Sequence, residues 1–201
     1  PKGRASFYII RNAGAMLEID EQDGLAHFLE HMAFQGTKNF PGKGIITSLE
    51  KHGVSFGRNI NAYTAQNETV YNLSDVPTNS ESLLDTCLLI LHDWSYYLTL
   101  EDDEIDAERG VITEEGRTRR TPQFRIQKQM FPVLFKDSKY AIRDVIGNLD
   151  VIKNFKYQTI RDFYHEWYRT DLEAIAIVGD FDVAKMEQKV KELFSKIPAV
   201  E

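Results

Sequence analysis

Only one cysteine, Cys87, stands among the 201 residues, so no internal disulfide can form and the redox compartment is left open. Long apolar runs are missing too. The most apolar stretch, residues 83–98, is broken by Asp85, His92 and Asp93, short of the ~18 uninterrupted residues that suggest a bilayer span, so no transmembrane segment is expected. There is no surplus of positive charge: 24 Lys and Arg against 31 Asp and Glu leave a formal net charge of -7, which disfavours nucleic acid as a partner. Proline and glycine are scarce, at 6 and 12, which excludes collagen-like and low-complexity chains. The first residue is Pro1 rather than methionine, directly before a strand-like run, as trimming of a leader would leave it.

What is present is an ordinary globular composition, 42% hydrophobic and 27% charged, in a chain long enough to bury a core. An aromatic and β-branched run in residues 4–13 reads as a strand closed by Asn12-Ala13-Gly14. In residues 24–34, Leu25, Phe28, Leu29 and Met32 recur at helical spacing before Gly36. A second helix is expected over 43–52, and two strands over 54–65 and 69–76, joined as a hairpin through Gln66-Asn67-Glu68. Ser80 caps a helix reaching residue 97, a further helix spans 101–119, and Pro122 starts or kinks the next. Residues 137–154 carry turn signals, 157–168 are amphipathic, 173–178 read as a strand and 183–197 as a closing amphipathic helix. Strands early and late with helices between them imply an α+β class, a two-layer sandwich of a mostly antiparallel sheet on helices, as one domain over 1–201.

The segment His27-Phe28-Leu29-Glu30-His31 puts two imidazoles at i and i+4 on one helix face, about 6 Å apart, with a carboxylate beside them. Two ring nitrogens can therefore address one ion. A catalytic zinc takes three protein ligands and keeps a position open, and a carboxylate that is not a ligand serves as general base; Glu30 stands where that base is needed. The order His-x-x-Glu-His is the inverted zincin signature. A third ligand must come from elsewhere, and the acidic helix over 101–119 offers Glu104, Glu108, Glu114 and Glu115. Glu108 and Glu115, seven residues apart, face the same way, whereas Glu114 is turned about 100° from Glu115. The other charges of that helix fit a solvated face partnered by Arg109, Arg117, Arg119 and Arg120.

Remaining motifs point to structure. His52, His92 and His165 stand alone and suit surface or cap positions. Pro41-Gly42-Lys43-Gly44 lacks phosphate-loop spacing and reads as a turn. Phe163, Tyr164, Trp167 and Tyr168 have helical spacing and suit core packing, and Cys87 on its apolar helix suits a buried, inert thiol.

The run His27 to Thr37, followed by Asn61-Ala62-Tyr63-Thr64, Glu68-Thr69-Val70-Tyr71, Glu108 to Glu115 and the late Ile177-Val178-Gly179-Asp180, resembles the pitrilysin (insulinase) family of zinc peptidases across nearly the whole chain. The resemblance implies a mitochondrial-processing-peptidase-like metallohydrolase fold, Zn2+ as cofactor, and His27, His31 and a glutamate as its ligands. It implies Glu30 as general base in the hydrolysis of peptides or small unfolded proteins. The length of the interval from His31 speaks for Glu108 as the ligand, but the family's local pattern, a Glu-Arg pair two turns before the liganding glutamate, points to Glu115. With the extra length assigned to the loops before Asn61 and before the acidic helix, Glu115 is the expected ligand and Glu108 the residue that fixes a histidine proton. The substrate peptide is then expected to add as a strand along a sheet edge lined by Asn61 and Ala62. A related C-terminal half, in the same protein or in a partner subunit, would complete the site, so that this chain is the N-terminal part of a longer protein, weakly active or inactive alone. A bacterial periplasm or cell envelope is the favoured compartment, with mitochondrial or cytoplasmic placement as alternatives. The competing class is a non-catalytic structural or interaction module of the same fold.

Overall fold

The computed structural model describes residues 2–199. Four strands, β1 (Arg4–Arg11), β2 (Ile60–Thr64), β3 (Thr69–Pro77) and β4 (Glu173–Gly179), form an antiparallel sheet in the order β2-β3-β1-β4. β1 is central because its alternation is the strictest: Ala5, Phe7, Ile9 and Arg11 are all buried on one face. Phe7 lies opposite Leu73 and Ile177, and Ile9 opposite Tyr71 and Ile175, so the register aligns the apolar positions of three strands. Arg11, at the end of that face, is fully buried but not unpaired. Its Nη2 lies 2.6 Å from Glu173 Oε2 and 3.0 Å from the Ser95 carbonyl, and its guanidinium stacks on Tyr168.

Helices cover the buried face. α1 (Leu25–Met32) packs on β2 and β3, and α2 (Gly44–Glu50) follows it. α3 (Glu81–Tyr96), capped by the Ser80 hydroxyl accepting from Leu83 N, packs on β1 and β3 and buries Cys87 and Trp94. α4 (Asp102–Thr118) crosses α1. Its outer side meets α6 (Leu149–Asn154), where Arg109 donates to the carbonyls of Ile152 and Phe155, 2.8 Å each, and stacks on Phe155. α5 (Pro122–Leu134) starts at Pro122 behind a Thr121 cap, α7 (Tyr157–Trp167) packs against α1, and α8 (Val183–Phe194) lies on α3. The expected α+β class and antiparallel sheet on helices are what the chain forms.

Three details depart from the sequence expectations. Residues 54–59 are a turn rather than strand, because Gly57 takes φ +79° and Asn59 N bonds back to Ser55 O at 2.9 Å, so β2 begins only at Ile60. Within 137–154 a helix, α6, forms on an Asn148 cap whose side chain accepts from Asp150 N at 2.9 Å. His92 is buried rather than at the surface, stacked on Tyr97 beside Phe194.

Candidate metal centre

α1 is short, so its position rests on what holds its ends. Its N-terminus is held by Glu18, a fully buried carboxylate that accepts from Gly24 N at 2.9 Å and Ala26 N at 2.8 Å. Gly24 makes this possible at φ +103°, where a Cβ would come within 2.8 Å of Ile152 Cδ1 and 3.0 Å of the Ile146 carbonyl. Burial drives the Glu18 pKa up to about 8, although the two backbone donors pull the other way. Leu25, Phe28, Leu29 and Met32 turn inward, which leaves the face carrying His27, Glu30 and His31 directed at α4 and β2.

The two imidazoles stand 4.7 Å apart, centre to centre, at 72° to one another. α4 brings Glu115 to them: its Oε2 lies 3.6 Å from His27 Nε2 and 3.4 Å from His31 Nε2. Ligand atoms of His27, His31 and Glu115 all lie within 4.8 Å of one another, the one group of this kind among the described residues. Two turns earlier on α4, buried Glu108 engages the other nitrogen of the same ring, its Oε1 2.7 Å from His31 Nδ1. Glu108 is itself fixed by Gln35, whose Nε2 donates to Oε2 at 2.6 Å. This gives each face-sharing glutamate of α4 a separate nitrogen of His31 and leaves Nε2 free to act as a donor atom toward an ion. Glu114 points outward to Arg117, and Glu104 stays outside the cluster.

Burial sets the charges. His27 is only 4% exposed, and its desolvation, aided by His31 and Arg119, drops its pKa to about 3, so the ring is neutral at pH 7. Its Nδ1 is buried without a hydrogen-bond partner. For His31, burial acts against the cation, but the hydrogen bond and charge of Glu108 together with Glu30 and Glu115 prevail and move the pKa up. Glu30 faces the same space from α1. Its Oε2 accepts from Thr64 Oγ1 at 2.6 Å, and burial shifts its pKa upward. Arg119, one turn beyond Glu115, pairs with the Glu115 Oε1 at 2.5 Å.

β2 is an edge strand, paired on one side with β3. Asn61 and Ala62 on it line a cavity of about 430 Å³ shared with Glu30, His31, Phe34 and Phe56. The structure thus brings together all the sequence candidates: His27, His31 and Glu115 in one cluster, Glu108 behind His31, Glu30 beside them, and Asn61 and Ala62 on the adjoining edge. Sequence reasoning misses Glu18, Gln35 and Thr64. Gln35 lies one helical turn beyond His31, a spacing that could have raised it as a partner, and Thr64 ends β2 two residues beyond Ala62, whereas Glu18 lies in the loop before α1 and carries no spacing signal.

The family model for "Insulinase (Peptidase family M16)" matches residues 1–133, which contain every one of these side chains. This chain belongs to the insulinase family of peptidases. A second M16 model, the "Peptidase M16 inactive domain", matches residues 154–201. Among members of the M16 family, the probable zinc protease PqqL of Haemophilus influenzae is 39% identical over 98% of this chain, which covers 21% of that protein. The mitochondrial-processing peptidase subunit beta of Saccharomyces cerevisiae is 28% identical over 98% of the chain and is covered to 41%. The crystal structure of the first half of the periplasmic protease PqqL from Escherichia coli superposes with a TM-score of 0.94 at 37% identity over the whole chain, 43% of that structure. The chain therefore spans about a fifth of the length of the PqqL relatives it matches. No helix among the described residues is long and apolar enough to cross a membrane.

Proposed function

We propose that this chain is the zinc-binding catalytic domain, a single domain over residues 1–201, at the N-terminal end of a longer endopeptidase that cuts peptides or small unfolded proteins. The observation that carries this reading is the convergence of two Nε2 atoms and one carboxylate oxygen within 4.8 Å. The donor set fits zinc: two imidazoles, one of them neutral by burial, and one carboxylate match the three-ligand pattern of a catalytic site with a position left open. His27, His31 and Glu115 would hold the metal, and Glu108 would keep the His31 proton on Nδ1, itself held by Gln35. Zinc supplies a Lewis acid that makes water nucleophilic at neutral pH and polarises a carbonyl.

The remaining work falls to this chain's own side chains. Glu30 takes the proton from the attacking water and returns it to the leaving amine; Thr64 fixes its Oε2, and its raised pKa makes the carboxylate a better proton acceptor than an exposed one. The peptide adds along the open edge of β2 beside Asn61 and Ala62, where its backbone pairs with the strand and one side chain enters the cavity beside Phe34 and Phe56. A related second half, in the same protein or a partner subunit, closes over the substrate. The periplasm or cell envelope is the compartment this reading favours, since PqqL of Escherichia coli is a periplasmic protease.

Metal content and zinc affinity by chelator competition test the centre directly. One zinc per chain is expected, with Glu115→Gln weakening the affinity by more than about 100-fold and Glu108→Gln by about tenfold. A correctly folded wild type that takes up no zinc at neutral pH, in the longer protein as well, would sink the reading.

A further inference from the structure

Between Glu115 and Asp137 the chain carries six basic residues, Arg117, Arg119, Arg120, Arg125, Lys128 and Lys136, and no acidic one, in a chain whose formal net charge is -7. All six are exposed. Arg117, Arg119 and Lys128 have carboxylate partners in Glu114, Glu115 and Asp144, but Arg120, Arg125 and Lys136 have none among the described residues. The same segment contains α5, which has no fully buried residue. Its inner side, with Phe124, Gln127 and Phe131, is half-buried. Its outer side is apolar as well: Ile126, Met130 and Val133, at i, i+4 and i+7, form one stripe with Leu134 beside it, exposed by 56%, 41%, 77% and 61%. A solvated helix face at these positions would be polar. The stripe has the character of a surface made to be covered.

We propose that this outer face of α5, with the basic run leading into it, binds an acidic and apolar segment of the substrate polypeptide. The proposal names the substrate class for the peptidase reading above and rests on it. Charge and polarity choose the occupant together. Three cations with no carboxylate of their own call for carboxylates, and an apolar stripe between them calls for aliphatic or aromatic side chains on the same ligand. A nucleic acid would satisfy the cations and leave the stripe in water. The surface is also continuous with the candidate metal centre: α4 ends at Thr118 just past Glu115, Arg119 still contacts that carboxylate, and α5 begins at Pro122. A polypeptide held at the β2 edge therefore has a basic path leading away from the cut.

The test uses fluorescence anisotropy of a fluorescein-labelled, unstructured peptide of glutamates and leucines, beside a twin with glutamine at every glutamate. The 201-residue chain carrying Glu30→Gln is used with chelator present, so that neither turnover nor zinc uptake enters the readout. The acidic peptide is expected to bind about tenfold tighter than its twin at low salt, with the gap closing near 0.5 M salt. The triple variant Arg120→Gln/Arg125→Gln/Lys136→Gln should reduce the preference to below about twofold with circular dichroism and Tm unchanged. Ile126→Ser/Met130→Ser should weaken both peptides alike. Equal binding of the twins, or a preference that survives the triple variant, overturns the proposal. So does tight binding to phosphatidylglycerol vesicles that the triple variant abolishes while peptide binding is absent, which would assign the face to a membrane. An Ile126→Cys side chain that a thiol reagent cannot reach in the longer protein would show that the protein's own remainder covers the face, and overturns it too. Cleavage of the glutamine twin by the longer protein tests the peptidase reading separately. A cleaved twin without acidic preference sinks the surface alone, and an uncleaved twin with the preference intact sinks the peptidase reading and with it the substrate role of the surface, leaving a site for an acidic polypeptide that is not cut.

Discussion

Burial acts in opposite directions on the acids and bases around α1, and the chemistry of each residue follows from the direction. It strips His27 of its proton, which suits a ring nitrogen offered to a cation, and it raises Glu30, which suits a carboxylate that must receive a proton. Glu30→Gln should therefore lower cleavage by the longer protein about 1,000-fold or more while zinc content stays at wild type; a loss of metal in that variant would make Glu30 a ligand instead. Thr64→Val removes the hydroxyl that fixes Glu30 Oε2 and should cost about tenfold in kcat with KM little changed, read from steady-state kinetics. Glu18 supplies a pH dependence. Its pKa is about 8 in the fold against 4.5 when exposed, so between these values the folded chain holds a proton that the unfolded chain has released. Stability is then greatest below pH 4.5 as far as Glu18 is concerned, and is lost as pH rises through about 8. Denaturant titrations across this window should show stability falling with pH in wild type and a flatter profile in Glu18→Gln.

At the scale of the element, the centre is a meeting of α1 and α4, and each helix is positioned by contacts well away from the imidazoles. Gly24→Ala places a side chain on a φ of +103° and against Ile152, and should cost about 1–3 kcal/mol in chemical denaturation. On the far side, Arg109→Ala removes two hydrogen bonds that tie α4 to the end of α6 and should cost about 2 kcal/mol, with zinc affinity weakened because Glu108 and Glu115 ride on the same helix. An unchanged zinc affinity in a folded Arg109→Ala chain would show that α1 alone positions the site. The helices other than α6 were legible in advance, since Leu25, Phe28, Leu29 and Met32 mark α1 by period alone and Pro122 marks the start of α5. The start of β2 was not, because Val54 and Phe56 read as strand until Gly57 and the backbone bond to Ser55 turn the chain.

At the scale of the whole molecule, one sheet edge stays open beside the cluster, and a cavity runs along it past Phe34 and Phe56. A site this open admits water freely, which weakens every electrostatic interaction in it. The isolated chain should therefore bind zinc but cleave a fluorogenic peptide at least about 100-fold more slowly than the longer protein, compared at equal zinc occupancy. Comparable rates would remove the need for a closing half.

The sequence by itself determined the chemistry on offer: a pair of histidines with a glutamate at helical spacing, an acidic helix bearing candidates for a third ligand, and an aromatic and β-branched run that marks β1 as a strand. These are local patterns, and local patterns are carried by backbone periodicity. The resemblance already pointed to Glu115 over Glu108, but only the tertiary structure shows which nitrogen of His31 each one meets, because the two share a helix face and the distinction is set by how α4 crosses α1. The bonds of Gln35 to Glu108 and of Thr64 to Glu30 likewise became visible only there, since a hydrogen bond between segments distant in the chain follows from packing.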